Sequence, residues 1–170
     1  YDAVGNVKQI VDYRAGETSV YGYDDLNRLT SWQLNSNPIE NYVYDSSTGN
    51  LTSKASIGLT YNAQVTCSAG NRTIPHAVSA MTANTYSYDC NGNQTTRNVG
   101  GQTVQLGYDS ENRLVSVTGT NLSAQFTYNG DGQRVKSVIN GETIQFVNGY
   151  YEKKGSEITK YYFAGASRIA

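Results

Sequence analysis

The sequence predicts an all-β protein in which consecutive antiparallel β-hairpins form a curved or spiral sheet. Three observations support this fold class. A tyrosine-led motif returns at nearly constant spacing, alternating apolar residues precede each copy, and no stretch has the apolar period of a helix. The chain of 170 residues contains 15 Tyr and 17 Gly but only two Pro. At 38% hydrophobic residues it predicts a thin core in which tyrosine is prominent.

The repeat is defined by its leading tyrosines, which are Tyr1, Tyr23, Tyr44, Tyr88, Tyr108 and Tyr128. Successive intervals are 22, 21, 44, 20 and 20 residues, so the interval of 44 contains a degenerate copy, for which Tyr61-Asn62 is the candidate. About twenty residues hold two strands of roughly 5–6 residues and two turns. A strand-helix-strand unit needs about 30 residues or more, so each copy is predicted to be one hairpin.

The strand before each turn is indicated by pairs of apolar residues two positions apart. Examples are Tyr86 with Tyr88 and Phe126 with Tyr128. Residues at i and i+2 share one face of a strand, and aromatic residues favour that pleated environment. One face of the predicted sheet therefore carries the tyrosines.

The turn that follows is predicted from an acidic residue and a left-handed residue. The carboxylate can accept backbone N–H bonds at the start of a turn, and the predicted aspartates are Asp2, Asp24, Asp45, Asp89 and Asp109. Gly and Asn reach positive φ most readily, and the corresponding residues are Gly5, Asn27, Gly49, Gly92 and Asn112. The pattern is typical of a type I turn closed by a bulge residue.

The whole chain, 1–170, is predicted to be a single repeat region and a fragment of a longer chain, because it begins inside a motif. The predicted repeats are 1–22, 23–43, 44–60, the degenerate 61–87, 88–107, 108–127, 128–149 and a terminal hairpin at 150–170.

Charge and hydropathy argue against two classes of partner. The net charge is −1, with 16% charged residues and no basic stripe, so nucleic-acid binding is not expected. No apolar run approaches the ~18 residues of a membrane span, and no leader is visible. No cofactor is predicted.

Two cysteines, Cys67 and Cys90, permit one disulfide or two free thiols, and the sequence leaves both possibilities open. Zinc binding by these cysteines with His76 lacks an evident fourth ligand. The segment 89–93 has the opening spacing of a calcium loop but lacks its later ligands, so it is interpreted as a repeat turn.

Two functional alternatives rest on particular side chains. The single histidine, His76, with Asp89 or Glu111 is the best available arrangement for a hydrolase, although no convincing catalytic constellation exists. Exposed tyrosines could instead stack on sugars, and the candidates are Tyr13, Tyr150, Tyr151, Tyr161 and Tyr162.

The units Tyr-Asp-x-x-Gly-Asn and Tyr-Asp-x-x-Asn-Arg-Leu resemble the YD repeats of the rearrangement-hotspot (RHS) family, over nearly the whole chain. That family includes bacterial cell-surface and toxin-delivery proteins and, in related form, the teneurins. Residues 75–78, Pro-His-Ala-Val, and the segment 161–170 are similar to further conserved stretches of the family.

The resemblance implies a secreted or cell-surface scaffold, part of a β-shell that encloses a toxin domain or supports adhesion. Its partners would be the remainder of its own polypeptide, including a core and a variable carboxy-terminal domain, and possibly surface glycans. An open sheet of hairpins also leaves edge strands unpaired. We therefore expect the isolated fragment either to self-associate through a sheet edge or a face, or to curl enough to cover its own tyrosines.

Overall fold

A computed structural model describes residues 1–169, which contain twenty β-strands and no helix. The predicted fold class is confirmed, since the strands follow one another as antiparallel hairpins in an open sheet. The chain divides into two compact units. The first comprises residues 1–64 and 73–83, and the second comprises residues 65–72 and the chain from residue 84 onward.

The first unit is a meander in which each strand pairs with the next. Its first six strands are β1 (Gln9–Asp12), β2 (Glu17–Tyr23), β3 (Leu29–Leu34), β4 (Glu40–Tyr44), β5 (Leu51–Lys54) and β6 (Ile57–Thr60). After an excursion of the chain, β9 (Ala80–Met81) pairs with β6.

The excursion is a separate two-stranded ribbon of β7 (Ala63–Cys67) and β8 (Gly70–Ile74). It stands where the degenerate copy at Tyr61-Asn62 is predicted. A short turn there is replaced by the ribbon and the residues that follow it, so residues 61–79 separate β6 from β9.

The second unit repeats the meander more regularly. Its strands are β10 (Asn84–Tyr88), β11 (Gln94–Val99), β12 (Gln102–Tyr108), β13 (Leu114–Gly119), β14 (Leu122–Tyr128), β15 (Arg134–Ile139), β16 (Glu142–Val147), β17 (Tyr151–Lys154) and β18 (Glu157–Lys160). A small hairpin of β19 (Phe163–Ala164) and β20 (Ser167–Arg168) follows.

Two kinds of turn alternate along each meander. Tyr-Asp turns, or Tyr-Asn at 128–129, connect strand pairs such as β2–β3 and β12–β13, and the ladder register shifts beside the tyrosine in each case. Two-residue turns with positive φ, such as Gly100-Gly101 and Asn140-Gly141, connect the others, as tight hairpins require. Within one unit, all Tyr-Asp turns therefore lie at the same end of the strands.

The core is thin, as the composition predicts. In the second unit Leu106, Phe126 and Ile144 are half-buried on one face, and Ala124 is buried with 5% of its surface exposed. Ser137 lies opposite Phe126 and Ile144 in the ladders and is only 1% exposed. Most of the alternate side chains of β14 and β16 are exposed, so one face of this sheet is apolar and the other is exposed to solvent.

Candidate functional site

The recurrent polar residues lie in the Tyr-Asp turns, and each turn is organised around its aspartate. In the first unit Asp24 Oδ1 accepts the backbone N–H groups of Leu26 at 3.0 Å and Arg28 at 2.9 Å. Its Oδ2 accepts the Arg28 Nε–H at 2.8 Å. Both carboxylate oxygens therefore accept hydrogen bonds from donors within the five-residue segment 24–28.

The second unit repeats this arrangement with the same spacing. Asp109 Oδ1 accepts the N–H groups of Glu111 and Arg113, and Oδ2 accepts Arg113 Nε–H at 2.8 Å. At Asp89 an asparagine replaces the arginine, because Asn93 donates its backbone N–H to Oδ1 and its side-chain amide to Oδ2, both at 2.9 Å. Asp2 and Asn6 make the equivalent pair of bonds in the first copy.

These hydrogen bonds lower the carboxyl pKa values. At Asp24 and Asp109 the largest cause is the backbone N–H donated by Arg28 or Arg113, and partial desolvation opposes it. At Asp2 and Asp89 desolvation is the largest single effect and raises the pKa, but the hydrogen bonds together outweigh it. The pKa of Asp45 is well below its usual range, first because of the Ser47 hydroxyl and then the Thr48 amide.

The left-handed residue predicted in five turns is present in each. The φ angles are 94° at Gly5, 60° at Asn27, 74° at Gly49, 90° at Gly92 and 60° at Asn112. Gly132 has the same role after Asn129, with φ of 77°. A bulge in the ladder accompanies the turns, as the motif predicts.

The motif tyrosines connect one copy to the preceding one. Tyr44 Oη–H donates to the carbonyl of Leu29 at 2.9 Å, and Tyr128 Oη–H donates to that of Leu114 at 2.9 Å. Tyr23 bonds the Val7 carbonyl at 3.0 Å in the same way. The acceptor is in each case the apolar residue that follows the previous turn, so the hydroxyl crosses from repeat to repeat. Tyr1 precedes the first strand and is 87% exposed.

The motif arginines make a second connection between the same copies, by contacting the tyrosine of the next copy. The Arg28 guanidinium lies 4.4 Å from the centre of the Tyr44 ring, and that of Arg113 lies 5.1 Å from the Tyr128 ring. Arg113 Nη1–H also donates to the carbonyl of Asn129 at 3.4 Å. The sequence contained the signal for this, because an arginine follows the aspartate by four residues in both copies, but only the structure shows the contact with the next tyrosine.

Asparagine side chains also form hydrogen bonds between neighbouring turns. Asn6 Nδ2–H donates to Asn27 Oδ1 at 2.9 Å, and Asn93 Nδ2–H donates to Asn112 Oδ1 at 2.8 Å. The polar groups of these neighbouring turns therefore bond one another.

His76 makes a hydrogen bond of the same kind with a turn asparagine. His76 is exposed, and its Nδ1–H donates to Asn50 Oδ1 at 2.7 Å, while Asn50 Nδ2–H donates to the Pro75 carbonyl at 2.9 Å. The carboxylates suggested as its partners are engaged in their own turns, Asp89 with amides and Glu111 in an ion pair with Arg113 at 2.8 Å.

The structure joins Cys67, in β7, to Cys90, in the turn after Tyr88, as a disulfide. Arg72 Nη1–H, from β8, donates to the Cys90 carbonyl at 2.8 Å. The ribbon segment 65–72 is thereby fastened to a Tyr-Asp turn within the second unit.

The tyrosines suggested for carbohydrate binding differ in exposure and in their contacts. Tyr13 is 91% exposed in the turn between β1 and β2, far along the chain from the others. Tyr150 and Tyr162 are 61% and 60% exposed, and Tyr150 packs edge-on against Phe163 with ring centres 5.1 Å apart. Tyr151 and Tyr161 are half-buried. Glu152 accepts the Tyr161 hydroxyl and raises the pKa of Tyr161.

Within residues 1–169, no three His, Cys, Asp or Glu side chains are grouped so that they could hold a metal ion. No helix in that part of the chain is suited to crossing a membrane.

The fold and its turns define a β-hairpin repeat protein, in which side chains of several Tyr-Asp copies bond residues of a neighbouring copy. The model of the RHS repeat family matches residues 1–33, which contain the first two Tyr-Asp turns. This match confirms the resemblance to the YD-repeat, or RHS, family, and residues 1–33 carry RHS repeat sequence. No curated protein matches the sequence.

Proposed function

We propose that this chain is a scaffold segment of a secreted or cell-surface RHS-repeat protein, serving to enclose a toxin domain or to support surface adhesion. One observation carries the proposal. The residues that define the repeat bond to one another, since the aspartates hold their own turns and the tyrosine and arginine side chains contact adjacent copies. We infer that these side chains stabilise an extended sheet and do not serve catalysis.

The apolar face of the second unit supports the same proposal. Its side chains, among them Leu106, Phe126 and Ile144, are only half-buried. Incompletely covered apolar surface is typical of a place where another protein element packs. A domain enclosed by the scaffold would supply that covering surface.

Location is proposed from the family and from the disulfide together. RHS repeat proteins are generally secreted or exposed at the cell surface, and disulfides persist in oxidising compartments. The Cys67–Cys90 bond is compatible with export.

The location is tested by surface digestion of intact producing cells. Immunodetection of the chain in the medium, or its loss from intact cells after external protease treatment, is the expected result. Protection in intact cells together with cleavage after lysis would contradict an exported scaffold.

The structural role is tested separately by substitution in the repeat. Asp24→Ala and Asp109→Ala should each lower the thermal midpoint followed by circular dichroism. Glycan binding and hydrolase activity should be absent from the parent chain. A repeat variant that keeps its stability but abolishes a measurable glycan-binding or hydrolytic activity would contradict the scaffold.

A second candidate function is carbohydrate binding by the exposed rings of Tyr150 and Tyr162. It is favoured by the exposure of the two tyrosines and by the edge-on packing of Tyr150 against Phe163. Glycan-array binding should be lost in Tyr150→Ala and Tyr162→Ala and kept in Tyr1→Ala, which removes a still more exposed tyrosine elsewhere. Equal binding by all three variants, or none by the parent chain, would exclude this candidate.

A further inference from the structure

A recess lies between the third Tyr-Asp turn and the degenerate copy, within the first unit. It has a volume of about 350 Å³, and its lining includes Asp45, Thr52, Leu59, Tyr61 and Asn62. We call it the Asp45 recess, because Asp45 is the only charged residue among the described residues that line it. Small-molecule sites typically measure roughly 300–1,000 Å³, so this recess is large enough for a small ligand or one side chain.

The regular copies show which group joins a Tyr-Asp turn to the tyrosine of the next copy. Arg28 Nε–H donates to Asp24 Oδ2 at 2.8 Å, and the same guanidinium lies 4.4 Å from the centre of the Tyr44 ring. The copy that begins at Tyr108 has the same two contacts, at 2.8 Å and 5.1 Å. In both cases an arginine lies between the aspartate of its own turn and the tyrosine that follows.

The third Tyr-Asp turn has no such arginine. Asn50 directly precedes the return strand, in the place that the arginines have in the regular copies. Its side-chain amide donates to the Pro75 carbonyl at 2.9 Å, and its Oδ1 accepts a hydrogen bond from His76 at 2.7 Å. The side chain of Asn50 therefore does not bond Asp45. Asp45 and the next tyrosine, Tyr61, both line the recess, but no arginine of the turn joins them.

The Asp45 carboxylate has one oxygen that its own turn does not use. Oδ1 accepts the amide and hydroxyl groups of both Ser47 and Thr48, at 2.7–3.0 Å. No donor among residues 1–169 bonds Oδ2. The Ser47 hydroxyl and the Thr48 amide hold the pKa of Asp45 well below its usual range. At neutral pH the recess therefore has an ionised carboxylate with an acceptor available to a ligand.

We propose that the Asp45 recess binds a guanidinium group, the side chain of an arginine presented by a partner polypeptide. Asp45 and Tyr61 are the counterparts of the aspartate and tyrosine that hold Arg28. A guanidinium fits better than an ammonium, because its planar fork bonds a carboxylate while its face stacks on an aromatic ring. The proposal goes beyond the scaffold function, since it assigns a ligand to one particular turn.

The binding is tested with N-acetyl-arginine amide as the probe and the backbone amide NMR signals of the full chain as the readout. Titration into the millimolar range should shift the signals of Asp45, Thr48, Tyr61 and Asn62 with one dissociation constant. The signals of the regular turn at Asp24 should not move, because that carboxylate already bonds its own arginine. An absence of shifts at the recess, or equal shifts at the Asp24 turn, would overturn the proposal.

Two related probes identify the chemistry that is recognised. N-acetyl-citrulline amide has nearly the shape of the arginine probe but no charge, and N-acetyl-lysine amide has the charge but no planar fork. Both should bind more weakly than the arginine probe by about fivefold or more, since each lacks one of the two contacts. Equal binding of the citrulline probe would exclude an ion pair. Equal binding of the lysine probe would exclude a guanidinium site.

Asp45→Asn removes the charge while keeping the turn. Asparagine retains Oδ1 for the Ser47 and Thr48 donors, and Asn129 already begins a turn of this kind with its Oδ1 as the acceptor. Since an N–H group then replaces Oδ2, the arginine probe should bind about tenfold more weakly, with the circular dichroism spectrum unchanged. The matched control is Asp109→Asn, in a turn that bonds its own arginine, and it should bind the probe as the parent does. Unchanged affinity in Asp45→Asn, or an equal loss in the control, would contradict the proposal.

Variants of Tyr61 test the ring contact separately from the carboxylate. Tyr61→Phe keeps the ring and should bind the arginine probe as the parent chain does. Tyr61→Leu removes the ring and should bind it about threefold more weakly, the loss expected of an exposed cation–π contact. Equal affinities in all three chains would show that the ring is not a partner, and an equal loss in both variants would assign the effect to the hydroxyl. Either result would contradict the proposed arrangement.

Asn50→Arg tests the comparison with the regular copies directly. It gives the third turn an arginine at the position that Arg28 has in the second copy. The guanidinium of the chain itself should then bond Asp45 and exclude the probe, so the titration shifts at Asp45 and Tyr61 should disappear. An Asn50→Arg chain that binds the probe as tightly as the parent would show that the recess is not the counterpart of the arginine position, and would overturn the proposal.

Discussion

The regular copies and the segment 61–79 close their hairpins in different ways. Between β12 and β13 only five residues intervene, and Asp109 fastens them with hydrogen bonds to amides within the same turn. Between β6 and β9 the chain makes a ribbon and a following loop, and both are fastened to residues distant in sequence. Cys67 bonds Cys90, and His76 bonds Asn50. A regular turn is therefore closed by hydrogen bonds within five residues of sequence. The segment 61–79 is instead attached by bonds to residues more than twenty positions away.

The largest effect that separates the two regions is expected from the disulfide. Cys67 and Cys90 are 23 residues apart, and closing a loop of that size in the unfolded chain is worth about 3 kcal/mol. The Cys67→Ser, Cys90→Ser double variant should lose about that much unfolding free energy in urea. Proteolysis should then begin in the ribbon. Unchanged stability, or first cleavage in a regular turn, would contradict the comparison.

The next largest effect concerns the left-handed turn residue. Gly92 has φ of 90°, and no atom lies within 4 Å of the position that a Cβ would occupy there, so only backbone conformation opposes a side chain. Gly92→Ala should cost roughly 1–2 kcal/mol of unfolding free energy. Gly92→Asn should cost less, because asparagine has this role at Asn27 and Asn112. Equal losses in chemical denaturation would mean that φ is not the constraint.

A smaller effect tests the contact between copies. Tyr128→Phe removes the hydroxyl that bonds the Leu114 carbonyl, and a hydrogen bond of this kind contributes about 1 kcal/mol. Tyr44→Phe should give a similar loss through Leu29. Tyr13→Phe is the control, since Tyr13 is 91% exposed and should tolerate the change. The contact has no energetic role if all three variants unfold at the same denaturant concentration.

At any single turn the smallest effect should come from pH, because the carboxylates are accessible to solvent, which screens their interactions. The folded pKa values of Asp24 and Asp109 lie below the ordinary value of 3.8. Their contribution is complete above that value and is lost as pH falls through the lowered folded pKa. The thermal midpoint should therefore fall between about pH 4 and pH 2. An Asp24→Asn, Asp109→Asn variant should show less of this acid loss; an identical loss would assign it to other groups.

Much of the regular region could be predicted from the sequence. The Tyr-Asp spacing placed the turns, and the Gly or Asn positions identified residues with positive φ, because both follow from local chemistry. The direction of Arg28 and Arg113 towards the next tyrosine was not predicted. That contact depends on how adjacent hairpins align, which local sequence does not specify.

The irregular region was much harder to predict. Tyr61-Asn62 marked the place of a degenerate copy, but nothing local distinguishes a poor turn from a ribbon. Both pairings there, Cys67 with Cys90 and His76 with Asn50, join residues more than twenty positions apart. Two cysteines established only that a disulfide was possible.

The central claim is that a substitution in one Tyr-Asp turn destabilises the turn of the next copy as well. Amide hydrogen exchange in Asp109→Ala tests it most directly. The control is Asp12→Ala, because Asp12 holds a turn that is not a Tyr-Asp turn. We predict faster exchange at Glu111 and Arg113, which lose their acceptor. We also predict it at Gly132 and Gln133, whose amides bond Asn129, the residue that Arg113 contacts. Faster exchange confined to residues 109–113 would contradict the account.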